Sequence, residues 1–216
     1  MVKASSKQDL STNQIILATH NLGKRDEMIR IFSPLIEGLT VLTLDDLVDK
    51  DLVGEIEESG DSFEENSLIK AKTVFDATGI PALADDSGLE VSALLGAPGI
   101  YSARYAGEGD PALRDSANIN KVLLELEGVV DRSARFIAVS TFVDSEGAIS
   151  ARGELTGEIG VEKRGNGGFG YDPVFIPSGF DQSLAELGPE IKDSISHRSA
   201  SLRQIAPLIA LRFAPN

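Results

Sequence analysis

The chain contains no cysteine, which excludes both a disulfide framework and a thiolate metal site. Positive charge is scarce: 20 Lys and Arg stand against 34 Asp and Glu, a formal charge of −14. A general nucleic-acid surface is thereby excluded, because phosphate backbones are held by basic patches. Any phosphorylated ligand must find a site that is locally basic or loaded with metal. Long apolar runs are missing too. The first dozen residues, "MVKASSKQDLST", hold no stretch of signal-peptide length, and no later segment approaches the ~18 apolar residues of a membrane span. The expectation is a soluble, cytoplasmic protein with no membrane partner. There is no internal repeat or low-complexity segment. What is present is 216 residues of 42% hydrophobic content, ample for a buried core. We read residues 1–12 as a flexible tail and 13–216 as one domain.

Strand and helix patterns alternate along that domain. "QIILAT" (14–19) is a β-branched run, followed by a polar loop and a helical pattern with Met28, Ile31, Phe32 and Leu35 on one face. "VLTL" (41–44) is a second strand candidate, with an acidic connection beyond it. Ser62-Phe63-Glu64-Glu65 has capping-box spacing and predicts a helix from Ser62 to near Gly79, where Pro81 blocks continuation. Its core stripe is Ser67, Ala71, Val74, Phe75 and Thr78, with Asn66 and Lys70 on another face. "IPALADD" reads as a buried strand ending at Asp85-Asp86, and Asp110-Pro111 as the start of a helix reaching Gly128. Ser133 to Asp144 is β-rich, and "SEGA" after it predicts a hairpin. A glycine-rich loop leads into "VFIP", and the chain closes with "SISHRSASLRQIAPLIALRF" (194–213), whose second half reads as an apolar helix. This mixture predicts an α/β fold with a mixed sheet.

Four constellations carry chemistry. Thr19-His20-Asn21-Leu22-Gly23-Lys24, between strand and helix, combines helix-start N–H groups, small polar side chains and a lysine, an anion site or an ordinary helix-start loop. It is not a P-loop, since G-x-x-x-x-G-K-[ST] is absent. Asp85 and Asp86, with Glu57 and Glu58 from another element, can converge on Mg²⁺; turn chemistry explains "DDSG" equally, and a solvated loop explains the glutamates. Lys70 lies between the two acidic sites and can reach a phosphate. Phe169-Gly170-Tyr171-Asp172 offers aromatics to a flat ligand, with glycines that let backbone approach. Lys192 and Ser196-His197-Arg198-Ser199 supply donors for a carbonyl or phosphate.

In this order, "TxNxxK" after the first strand, "EESGDSFEENSLIKA", "ALADDSGLEVSALLGAPGIYSARYAG", "GGFGYDPVF" and "SHRSASL" resemble the Ham1-like family of noncanonical purine nucleoside triphosphate pyrophosphatases, also called inosine triphosphate pyrophosphatases. The resemblance covers about Ile15 to Leu211, with His20 where many members have glycine. It implies an elongated, twisted mixed sheet with flanking helices, two lobes around a nucleotide cleft, a homodimer, and Mg²⁺-dependent hydrolysis of the inosine, deoxyinosine and xanthosine triphosphates (ITP, dITP, XTP) to monophosphate and pyrophosphate. Carried over by position, Thr19, His20, Asn21, Leu22, Gly23, Lys24 and Lys70 hold the triphosphate. Asp86 is general base and metal ligand, assisted by Asp85 and by Glu57 or Glu58. Ser87, Phe169, Gly170, Tyr171, Asp172, Lys192, His197 and Arg198 bind substrate, the last two presenting donors to the purine 6-keto edge. Two other readings remain: a nucleotide sensor without turnover, and a Mg²⁺-dependent phosphatase releasing orthophosphate. A haloacid-dehalogenase-type phosphatase fits poorly, because its two aspartates are separated by one residue and follow the first strand.

Overall fold

A computed structural model describes residues 13–214 apart from 55, 108 and 111; the expected tail and Pro111 lie outside the described residues. Gln14–Leu17 (β1), Thr40–Thr43 (β2), Ala82–Val91 (β3), Ser133–Asp144 (β4), Gly147–Ile159 (β5) and Phe175–Pro177 (β6) form one sheet in the order β2-β1-β3-β4-β5-β6. β1 runs parallel to β2 and β3, and the remaining pairs are antiparallel. The helices are Leu22–Phe32 (α1), Phe63–Thr78 (α2), Arg114–Glu125 (α3), Leu184–Ile195 (α4) and His197–Arg212 (α5). None is long and apolar enough to cross a membrane.

Successive residues of a strand point to opposite faces, and the cores follow that period. Ile15, Leu17 and Leu83 pack with α1 and α5 through Met28, Ile31, Leu202 and Ile205. Ile16, Ala18, Ala82 and Ala84 pack with α2 through Ala71 and Val74. A separate cluster around Leu89, Phe136, Tyr171, Phe175, Ile119 and Val122 forms the core of the second lobe, and β3, β4 and β5 run through both lobes.

The strand containing the aspartates does not end at them, as the sequence suggested. Ten rungs to β4, from Ala82↔Val143 to Val91↔Ala134, hold β3 extended through "DDSG", so ladder pairing overrides the turn tendencies of Asp, Ser and Gly. Gly88 is there for close approach: a Cβ would collide with the Gly99 carbonyl and lie 2.6 Å from Ser102 Oγ, both in a 3-10 segment, Gly99–Arg104. On its other side β3 has only two rungs with β1, Ile16↔Ala82 and Leu17↔Leu83. Beyond Leu83 that edge meets no strand among the described residues until an isolated bridge from Glu90 to Pro98, and in this gap stand Asp85 and Asp86.

Other boundaries agree or shift for local reasons. α2 begins after Ser62, whose Oγ accepts from Glu65 N, and ends at Gly79 in the left-handed region. Glu65 reaches back to the N–H of Asp61 rather than to that of the cap residue itself. Asn66 and Lys70, expected off the core face, are buried, while Phe75 and Thr78 are only partly so. α3 starts at Arg114, later than expected, with Leu113 at its cap and no side-chain bond there. α4 was not anticipated; it kinks at Gly188 (φ 76°) before Pro189, a pair that disguises a helix in sequence. α5 begins at His197, so Ser196 is its cap and Arg198 lies in its first turn.

Candidate active site

Chain leaving β1 turns directly into α1. Thr19 Oγ1 accepts from Asn21 N, and Asn21 Oδ1 caps the helix by accepting from Lys24 N at 2.9 Å. His20 and Leu22 face solvent. Gly23 is confined by the Phe169 ring, which a Cβ would approach to 2.8 Å. The next residue, Lys24, sends its Nζ to within 3.3 Å of Asp85.

Strand alternation points Asp85 toward α1 and α5, and Asp86 toward α2. On the first face Arg198, 1% exposed, donates from Nη1 to Glu27 at 2.9 Å and from Nη2 to Asp85 at 3.1 Å and Ser87 at 2.8 Å. Lys192 donates to Asp172 at 2.6 Å and lies 3.3 Å from Glu27. Three buried carboxylates thus meet three cations, the balance that buried charge requires. Burial pushes the Glu27 carboxyl up, but Arg198 and Lys192 outweigh it and hold it at about 2. Asp85 is likewise held well below the usual carboxylate range, burial being outweighed by Arg198 and Lys24. Sequence reading missed Glu27. Its signal was a carboxylate four residues before Ile31, on the apolar stripe of α1.

On the other face Lys70 Nζ donates to Asp86 Oδ1 at 2.6 Å and to Glu58 Oε1 at 2.8 Å. Burial raises the Asp86 carboxyl above its ordinary value despite Lys24 and Lys70, which makes it a better proton acceptor than an exposed aspartate. Glu57 is exposed, so of the two glutamates it is Glu58 that the structure brings to Asp86.

Asn21, Lys24, Ser87, Phe169 to Asp172, Lys192, His197 and Arg198 line one pocket between the lobes. Thr19, His20, Leu22, Gly23, Lys70, Asp86, Glu57 and Glu58 do not line it; Asp86, Lys70 and Glu58 form their cluster beyond Lys24, whose charge acts on both Asp86 and Lys70. The sequence reading missed six lining residues: Gly88, Ser102, Ala103, Asp115, Asn118 and Phe136. His197 stacks on Phe136, centroids 4.7 Å apart at 12°. Burial, aided by Arg198, lowers its imidazole to about 3, so the ring is neutral at ordinary pH, and its Nδ1 has no partner among the described residues. Tyr171 is a wall: its hydroxyl donates to the Ser102 carbonyl at 2.9 Å and its ring belongs to the core. Phe169 is less buried, with the Lys192 ammonium 4.5 Å from its centroid. Arg198, expected to present its donors to a purine, commits both terminal nitrogens inward; Nε alone is without a partner.

No group of three or more acidic or histidine side chains that could cage a metal occurs among the described residues. Two carboxylates, Glu58 and Asp86, nevertheless converge on one ammonium group. Mg²⁺ usually takes one or two carboxylates and completes its shell with water and substrate phosphate, and this donor set fits that type of site.

The model of the Ham1 family matches residues 15–208. A Lactiplantibacillus plantarum protein named dITP/XTP pyrophosphatase is 46% identical over 194 residues, covering 88% of this chain and 92% of that one. The Mycobacterium bovis protein of the same name is 43% identical over 199 residues, 91% of this chain and 95% of its own length. Among solved structures, the Staphylococcus aureus Ham1 protein superposes with a TM-score of 0.79 at 38% identity, covering 92% of this chain and 99% of the other.

Proposed function

The chain belongs to the Ham1 family, and from that membership we propose that it hydrolyses noncanonical purine nucleoside triphosphates, ITP, dITP and XTP, to the monophosphate and pyrophosphate. One observation carries the reading: an aromatic pocket with a neutral histidine is lined by Lys24, whose charge also acts on a buried carboxylate, Asp86, with its basicity raised by burial.

The purine lies in the pocket beside Phe169 and His197. Neutral His197 offers one ring N–H and one lone pair, and the free Nε–H of Arg198 adds a donor; both suit a 6-keto oxygen. Lys24 and the N–H groups at the start of α1 receive the phosphates. Glu58 and Asp86 are the residues that would hold Mg²⁺, which supplies charge neutralisation on the phosphate oxygens. Asp86 accepts a proton from water as the water oxygen bonds the phosphorus next to the nucleoside. The bond from that phosphorus to the bridging oxygen breaks, and its electron pair leaves with pyrophosphate. Lys70, held to Asp86 and Glu58, raises the positive potential where this charge develops. Asp85 fixes Lys24 and Arg198.

Residues 13–216 act as one catalytic unit in this reading. A homodimer follows the family resemblance, and the absence of cysteine fits a reducing cytoplasm.

Phosphorus NMR of inosine triphosphate incubated with protein and Mg²⁺ tests the proposal. Pyrophosphate and monophosphate are the expected products. Orthophosphate with accumulating diphosphate would make the protein a phosphatase, and binding without turnover would make it a sensor.

A further inference from the structure

Arg104 has no place in the chemistry described so far. It ends the 3-10 segment Gly99–Arg104, directly after Ser102 and Ala103, which line the pocket. Its guanidinium points the other way, to the acidic cluster, where Nη1 lies 3.8 Å from Glu58 Oε2. Arg104 therefore adjoins both the pocket wall and the cluster that contains Asp86. A triphosphate with its base in the pocket and its first phosphorus near Asp86 must cross the space between them.

The state of the side chain suits a ligand contact better than a structural one. Arg198 is sealed, with its terminal nitrogens bonded at 2.8 to 3.1 Å. The Arg104 side chain is 40% exposed, its contact with Glu58 is long, and Glu58 already accepts from Lys70 at 2.8 Å. A loose, exposed ion pair contributes little to stability. Among the described residues its other neighbour is the Tyr101 ring, 5.4 Å away. On a chain of charge −14, a half-exposed planar guanidinium beside the acidic cluster is a group that can grip two phosphate oxygens at once. The cations that line the pocket are already paired with carboxylates, Lys24 and Arg198 with Asp85 and Lys192 with Asp172.

We propose that Arg104 is a substrate-binding residue that leaves Glu58 to clamp the two outer phosphates, the part of the substrate that departs as pyrophosphate. This rests on the pyrophosphatase reading above.

The test separates the two halves of the product. Inhibition constants for pyrophosphate and for inosine monophosphate are measured with Mg²⁺ on the unchanged protein, on Arg104→Ala and on Arg104→Lys. Arg104→Ala should weaken pyrophosphate about tenfold, the loss of one charge-assisted contact, while monophosphate binding stays as it was. Arg104→Lys, which keeps the charge, should recover much of that loss. Equal weakening of both ligands would return Arg104 to the pocket wall and overturn the proposal, as would a pyrophosphate constant unmoved in Arg104→Ala. If the unchanged protein binds neither ligand, the pyrophosphatase reading itself fails, and this proposal with it.

Discussion

His197 is set apart from a histidine in water chiefly by burial, with the adjacent Arg198 charge acting in the same direction. Its ring is buried against Phe136, with Arg198 next in the chain. The folded ring resists protonation down to about pH 3, against an ordinary value of 6.5. Above about 6.5 the ring is neutral in both folded and unfolded chains. Below that, the unfolded chain takes a proton that the folded one refuses, so stability falls as pH falls, by up to 1.4 kcal/mol per unit for one such group. We expect unfolding free energy from urea titrations to drop by about 1.4 kcal/mol between pH 7.5 and 5.5. In His197→Phe, which keeps the stacking, that drop should vanish. A drop of the same size in the variant would assign the proton elsewhere. Glu27 makes the complementary point about what a sequence hides. Its neighbours Lys192 and Arg198 are more than 160 positions away, and only folding shows that a carboxylate on an apolar stripe is there to neutralise them.

At the level of elements, the approach of the 3-10 segment to β3 decides the shape of the pocket wall. Ser102 Oγ accepts from the Leu89 N–H and donates to the Gly99 carbonyl, and Gly88 makes room for both. Gly88→Ala should destabilise the fold by about 1–3 kcal/mol, the usual cost of overpacking, and should weaken substrate binding because Ser102 and Ala103 are displaced. Chemical denaturation checks the first effect; an unchanged midpoint would mean that this contact is slack. The elements legible in advance were those with local punctuation: α2 between Ser62 and Gly79, and the β4–β5 hairpin across Ser145-Glu146. The extension of β3 past Asp86 was not legible, because its cause is a partner strand some fifty residues away. α4 was hidden by Gly188-Pro189, which reads as a break and is one, but inside a helix. For the site, residue types at motif positions were readable, whereas their division between two faces of β3 was not.

In the molecule as a whole, three long strands pass through both lobes. The cores on the two sides of the pocket share β3 and β4, so neither lobe can lose its packing without unzipping ladders that the other depends on. Heating should therefore give one calorimetric transition, with van't Hoff and calorimetric enthalpies in agreement; two resolved transitions would show lobes that melt separately. The four-residue length of β1 acts on the same scale as a measuring rod. It stops two rungs into β3 and sets down the start of α1 where Lys24 meets Asp85. A β1 two residues longer, with its alternation preserved, would carry α1 about 7 Å along β3, past the aspartates and toward Gly88. The distance between the charge that receives phosphate and the carboxylate that activates water is thus specified by where a strand is cut short, a quantity that insertions and deletions can alter while every side chain of the site is retained.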